Sequence, residues 1–196
     1  MRRLAGPIDR AQVTFADLLA HVISGLDRAG IPYMVTGSLA SSYHGEPRAT
    51  RDVDIVVDPT PIALARLVDD LLAADFYVDA EAAQTALAER TQFNAIGPDA
   101  SKVVFIIRKD RPFSIEEFGR REPADLLGTR GFVATAEDLV IAKLEWAATT
   151  DSERHRRDVA GIVAVSAQLD VAYVEQWASA LGVLGQWQAI REEVRG

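Results

Sequence analysis

Residues 37–57 read GSLASSYHGEPRATRDVDIVV, and two features in this stretch depend on each other. Tyr33-Met34-Val35 has the composition of a short buried strand, and Leu39 to Tyr43 can start a helix with Ser38 near its N-cap. Gly37-Ser38 therefore stands at a strand-to-helix corner. A glycine and free backbone N–H groups there accept a phosphate at a helix N-terminus, and the same residues also suit plain helix capping. Pro47 closes that helix. Thirteen residues (39 to 51) separate the corner from Asp52-Val53-Asp54. Asp52 to Val57 is β-branched and alternates acidic with apolar positions before Pro59, as in a strand whose beginning carries a functional face. Carboxylates at positions i and i+2 of a strand share one side, and two like charges so close call for a hard cation such as Mg²⁺. Taken alone, D-x-D also describes strand-edge aspartates in water. The sequence of strand, Gly-Ser corner, helix and D-x-D strand is what raises the functional reading.

Outward from this block, Phe15, Leu18, Leu19, Val22, Ile23 and Leu26 recur at three- and four-residue spacing, predicting an amphipathic helix over 15–29 that Gly30 ends. A helix follows from about Pro61 to Ala74, with proline in its first turn and Leu64, Leu67, Val68, Leu71 and Leu72 on its apolar side. Residues 80–90 are expected to be helical. Phe93 to Ile96 and Lys102 to Ile107 predict a hairpin joined by a Gly97-Pro98-Asp99 turn. A looser segment containing Pro112, Pro123 and Gly128 leads to a short strand at Gly131-Phe132-Val133. Glu137 to Thr149 is helical in pattern, and a helical tail over 152–168, 171–181 and 185–194 breaks at Gly182 and Gly185. The expected fold is α/β (α+β): a mixed sheet flanked by helices over residues 1–135, followed by a C-terminal helical region over 136–196.

The bulk composition narrows the chemistry. The 196 residues are 48% hydrophobic, enough for one good core. No apolar run approaches the roughly 18 to 20 residues that cross a bilayer, so a cytoplasmic protein is expected. With no cysteine and only His21, His44 and His155, neither a thiolate zinc site nor a histidine-rich metal site is expected, and any catalytic metal must sit on carboxylates. A net charge of −8 argues against a broad phosphate-binding surface. Residues 101–130 nevertheless carry seven basic against five acidic side chains. That stretch is either where a polyanion docks or a set of solvated charges.

The block GSLASSYHGEPRATRDVDIVV resembles the G-S…R-x-T-x-D-x-D signature of the nucleotidyltransferase superfamily, of DNA polymerase β-like fold, in the branch of AbiEii/MenT-type toxin enzymes and their relatives. RKDRPFSIEEFGRR, ATAEDLVIAKLEWA and ERHRRDVAGI resemble later blocks of that branch in the same order, so the similarity covers about residues 30–165. The resemblance implies a Mg²⁺-dependent transfer of a nucleotidyl group from an NTP to a hydroxyl of RNA or protein. A tRNA or protein acceptor and an antitoxin partner belong to the same implication. It assigns Gly37 and Ser38 to the triphosphate and Asp52 and Asp54 to one or two Mg²⁺ ions. Lys143 would reach the phosphates, and Asp158 matches a further polar position. Lys143 lies on an otherwise apolar helical segment (Leu139, Val140, Ile141, Leu144), where a cation wants an anion or carries its ammonium to water or to a neighbouring Glu. Asp158 fits a pairing with Arg154 or another local arginine better than a catalytic role. Arg48 and Thr50 read as props for the D-x-D strand, and Arg51 could face phosphate or solvent. Trp146, Tyr173, Trp177 and Trp187 suit acceptor recognition, a dimer contact or core packing.

One position departs from the pattern. The branch would place a third carboxylate within a K-V-D-like strand, which here reads Lys102-Val103-Val104, and no acid occurs from Ala100 to Lys109. Val104 therefore leaves a two-carboxylate site. Loss of one acidic ligand weakens the metal that activates the nucleophile more than the metal on the triphosphate, so binding can outlive transfer.

Overall fold

The computed structural model describes residues 14–46, 50, 52–98, 100–150, 152–166 and 168–195. The first helix, α1 (Phe15–Ala29), is held by a capping box: the Thr14 hydroxyl accepts the Asp17 N–H while the Asp17 carboxylate accepts the Thr14 N–H. Gly30, at φ +69°, ends it. The chain then forms β1 (Tyr33–Thr36), α2 (Gly37–His44) and β2 (Asp52–Val57). Next come α3 (Pro61–Ala73), β3 (Tyr77–Val78), α4 (Ala80–Glu89), β4 (Gln92–Ile96) and β5 (Lys102–Ile107). The remainder is α5 (Pro112–Arg120), β6 (Glu122–Leu126), β7 (Thr129–Val133), α6 (Ala136–Thr150), α7 (Glu153–Val165), α8 (Val171–Ala180) and α9 (Leu184–Arg195).

The seven strands make one mixed sheet in the order β3-β4-β5-β2-β1-β7-β6. β2 lies antiparallel to β1 and parallel to β5, with Thr36 opposite Asp54 and Val104 on the other side of Asp54. Because side chains alternate along a strand, the two faces differ sharply. Val53, Ile55, Val57, Val103, Phe105 and Ile107 are all fully buried, and Phe93 stacks on Phe105 at 4.9 Å. The opposite face of the same strands carries Asp52, Asp54, Lys102, Val104 and Ile106. One face of these strands is core throughout, and the other carries the two carboxylates beside the buried Val56 and Val104.

The α/β architecture is as the sequence predicts, with three additions. The segment after Arg111 is not loose. Pro112 occupies the first turn of α5, where its missing N–H costs nothing, and Phe113 and Phe118 turn inward. Pro123 lies in β6, an edge strand, where a ladder donor is dispensable. β3 has only two residues, too few for a period to register. The hairpin between β6 and β7 turns at Leu127 and Gly128, both at positive φ, with the Asp125 carboxylate accepting the Gly128 N–H at 2.8 Å.

Two boundaries also move. Helix α2 begins at Gly37 with Thr36 as its N-cap residue, so Ser38 lies inside the first turn rather than at the cap. Gly185 falls within α9, and the break in the tail is made at Gly182 alone, at φ +74°. Pro47 and Asp99 lie outside the described residues.

The helices behind the site are fixed to one another by buried polar contacts. The Asp138 carboxylate, fully buried on α6, accepts bonds from the Thr135 hydroxyl (2.6 Å), the Arg120 guanidinium on α5 (3.0 Å) and the Tyr173 hydroxyl on α8 (2.6 Å). Arg111 grips Glu145 of α6 with two bonds of 2.6 Å. Arg108 bonds Asp58 at 3.0 Å and pairs with Asp110 at 3.2 Å. These guanidiniums of the basic stretch are thus committed to carboxylates of the chain itself. No described helix is long and apolar enough to cross a membrane.

Candidate active site

The Gly-Ser corner and the D-x-D strand interlock. Gly37 has φ +64°, and a Cβ built on it would stand 1.9 Å from Asp54 Oδ2. Only a residue without a side chain leaves room for that carboxylate. Asp54 in turn accepts the backbone N–H of Ser38, so it sits at the positive end of α2 as an anion would. Ser41 Oγ donates back to the Gly37 carbonyl at 2.8 Å and Ser42 Oγ to the Ser38 carbonyl at 3.1 Å, bracing the first turn. Thr50 brackets Asp52, accepting its N–H at 3.3 Å and donating to its carbonyl at 3.1 Å, as a prop for the strand would. Arg48 and Arg51 lie outside the described residues.

Burial pushes the Asp54 carboxyl above its ordinary range. The Ser38 N–H opposes that rise, the Asp52 charge adds to it, and Lys143 and Lys102 pull it back. Asp52, two residues earlier on the same face of β2, is exposed. Among the described residues no three His, Asp or Glu side chains come together as a metal-binding set. Two carboxylates on one face of β2 fit a divalent cation whose other ligands come from elsewhere, such as phosphate oxygens.

Asp54 lies in a cleft of about 280 Å³ whose lining includes Thr36, Gly37, Lys102, Val104 and Lys143. The structure therefore brings together four elements from distant parts of the chain: the corner, the D-x-D strand, β5 and α6. Val104, in register with Asp54 and 7% exposed, presents methyl groups where a third carboxylate would serve. Lys143 Nζ forms an ion pair with Asp158 of α7 at 2.7 Å, with both side chains nearly buried. The expected pairing of Asp158 with a local arginine gives way to this one, because an ammonium on the apolar face of α6 needs a counter-charge at depth. Arg154 instead reaches across the corner, where its Nη2 donates to Ser38 Oγ at 3.0 Å.

Four cleft or corner residues escape a reading by motif. Lys102 precedes Val104 by two on β5, so strand alternation alone places it on the same face. Trp146 follows Lys143 by one helical turn, and helix spacing gives it the same side. Arg154 and His155 meet the corner and the cleft only through the packing of α7 on α6 and α2, which no local pattern encodes.

No protein family and no curated protein matches the chain by sequence. Solved structures match it in fold. The crystal structure of ANT(2")-Ia in complex with adenylyl-2"-tobramycin superposes with a TM-score of 0.60 at 14% identity, covering 85% of this chain and 95% of that one. The chain has the nucleotidyltransferase fold. An antigenic nucleotidyltransferase-like protein from Paracoccidioides brasiliensis gives a TM-score of 0.59 at 14% identity, with 92% of each chain covered. The lincosamide antibiotic adenylyltransferase LnuA, lincomycin-bound, gives 0.54 at 8% identity, covering 76% of this chain and 96% of that one. At such identities the likeness fixes the fold and leaves the reaction to be argued from the site.

Proposed function

We propose that this chain is a Mg²⁺-dependent nucleotidyltransferase of the AbiEii/MenT-like branch, moving an NMP group from an NTP to a hydroxyl of RNA or protein. The observation that carries this reading is the interlock of Gly37, Ser38 and Asp54, of which Gly37 and Asp54 line a cleft together with Lys143. In it, Gly37 and Ser38 receive the triphosphate at the N-terminus of α2, with Lys143 and Arg51 as phosphate-binding cations. Asp52 and Asp54 would hold Mg²⁺, which when bound supplies Lewis-acid activation of the acceptor hydroxyl and charge neutralisation at the phosphates.

The acceptor hydroxyl oxygen bonds to the α-phosphorus and its proton passes to solvent water, while the bond to the bridging oxygen of the β-phosphate breaks and pyrophosphate leaves with that electron pair. Lys143 offsets the growing negative charge. Asp158, paired with that ammonium at 2.7 Å, aims it and acts on the reaction through Lys143. Ser38 Oγ, held by Arg154, adds a donor or acceptor at the same corner.

Incubating the chain with labelled NTPs, Mg²⁺, tRNA and a cell lysate tests the activity. Label should appear on an RNA or protein acceptor and vanish with Asp54→Asn. An antitoxin partner would suppress the label when added.

Val104 favours a second reading, a nucleotide-binding module that has lost efficient turnover. In that case Mg²⁺–NTP binds the wild type without transfer, and Val104→Asp gains transfer. Transfer by the wild type at a rate that Val104→Asp does not raise would remove this second reading.

A further inference from the structure

Trp146 is 52% exposed, an unusual setting for so large an apolar ring. Trp187 is fully buried and Trp177 packs its ring against Phe113 at 5.3 Å, so core packing accounts for both of those and not for Trp146. Its indole lines the cleft that contains Asp54 and Lys143. A smaller pocket of about 100 Å³ shares Thr36, Ile106, Ala142 and Trp146 with that cleft, so the indole borders both spaces. Across from it on α7, the His155 ring lies 6.5 Å away, centroid to centroid, inclined at 33°. Both residues line the cleft.

We propose that Trp146, with His155 beside it, is the platform on which the nucleobase stacks. The inference rests on the nucleotide reading of this cleft and names the part of the ligand that reading leaves unplaced. Lys143 and Trp146 stand three residues apart on α6, which puts their Cβ atoms roughly 5–6 Å from each other along one side of the helix. A triphosphate at the Lys143 end carries its base one ribose away, and the indole face meets it there. Gln92 lines the same cleft and is exposed, so its amide can give one donor and one acceptor to the base edge. Stacking accepts any base, because every base has a π face; Gln92 is the group able to discriminate.

The test pairs calorimetry with tryptophan emission, using Mg²⁺ with α,β-methylene-ATP as the nucleotide and Mg²⁺ with inorganic tripolyphosphate as the baseless probe. For the wild type, the nucleotide should quench emission and bind more tightly than tripolyphosphate. Trp146→Leu should weaken the nucleotide by roughly ten-fold or more while leaving tripolyphosphate affinity unchanged, and Trp146→Phe should recover part of the loss. Because Trp146 is exposed, both variants keep the fold, which circular dichroism checks. Equal nucleotide affinity in Trp146→Leu and wild type, or no change in emission on binding, overturns the platform while leaving the nucleotide site standing. Absence of binding by both probes overturns the nucleotide reading and the platform together.

Discussion

The carboxylate of Asp54 fills the space that a side chain on Gly37 would need, and it accepts the N–H of the next residue, Ser38. Two sequence motifs seventeen residues apart are thereby one structural unit. Gly37→Ala puts a Cβ at 1.9 Å from Asp54 Oδ2 on a backbone at φ +64°. The expected result is a loss of at least about 1–2 kcal/mol in urea unfolding, together with loss of Mg²⁺–nucleotide binding. An alanine variant that binds nucleotide like the wild type would sink the idea of an interlocked corner.

Lys143 and Asp158 form a nearly buried ion pair at 2.7 Å. Removing either charge leaves the other uncompensated in a low-dielectric site. Lys143→Met or Asp158→Leu should each cost roughly 3–5 kcal/mol, whereas the double variant should lose much less than the sum of the two. Chemical denaturation of the four proteins in a double-mutant cycle reads the coupling. Additive losses would show that the pair is not a unit.

The Glu117 carboxyl is pushed up to about 8, first by burial and next by the Asp138 charge; Ser114 and Arg111 oppose the rise and Glu145 adds to it. Between its ordinary value of 4.5 and about 8, the folded chain keeps a proton that the unfolded chain releases. Stability from this residue is therefore full below about pH 4.5 and falls as pH rises through 8. Glu117→Gln, which keeps the shape without the charge, should match wild type at pH 5 and exceed it by roughly 1–2 kcal/mol at pH 8.5. Thermal unfolding at the two pH values checks this, and a variant no more stable at pH 8.5 would contradict it.

Much of the fold was legible because its signals are local. The stripe from Phe15 to Leu26, the run DVDIVV and the turn residues after Ile96 each declare an element within a few positions. What stayed hidden has a physical reason in each case. Pro112 and Pro123 look like breakers, yet one starts a helix and the other sits on a sheet edge, and only the sheet order tells those roles apart. In the site, Gly37 and Asp54 could be singled out by type, but their contact could not. Helical spacing offers Arg154 to Asp158, while depth in the fold brings it Lys143. The Arg154 contact with Ser38 spans 116 residues and exists only once α7 is packed.

Calorimetric titration of Mg²⁺–NTP into the intact chain and into Asp54→Asn tests the central claim most directly. The account predicts one nucleotide per chain for the wild type, binding that needs Mg²⁺, and its loss in Asp54→Asn with the fold retained. Absence of binding by the wild type, or equal binding by Asp54→Asn, would contradict it.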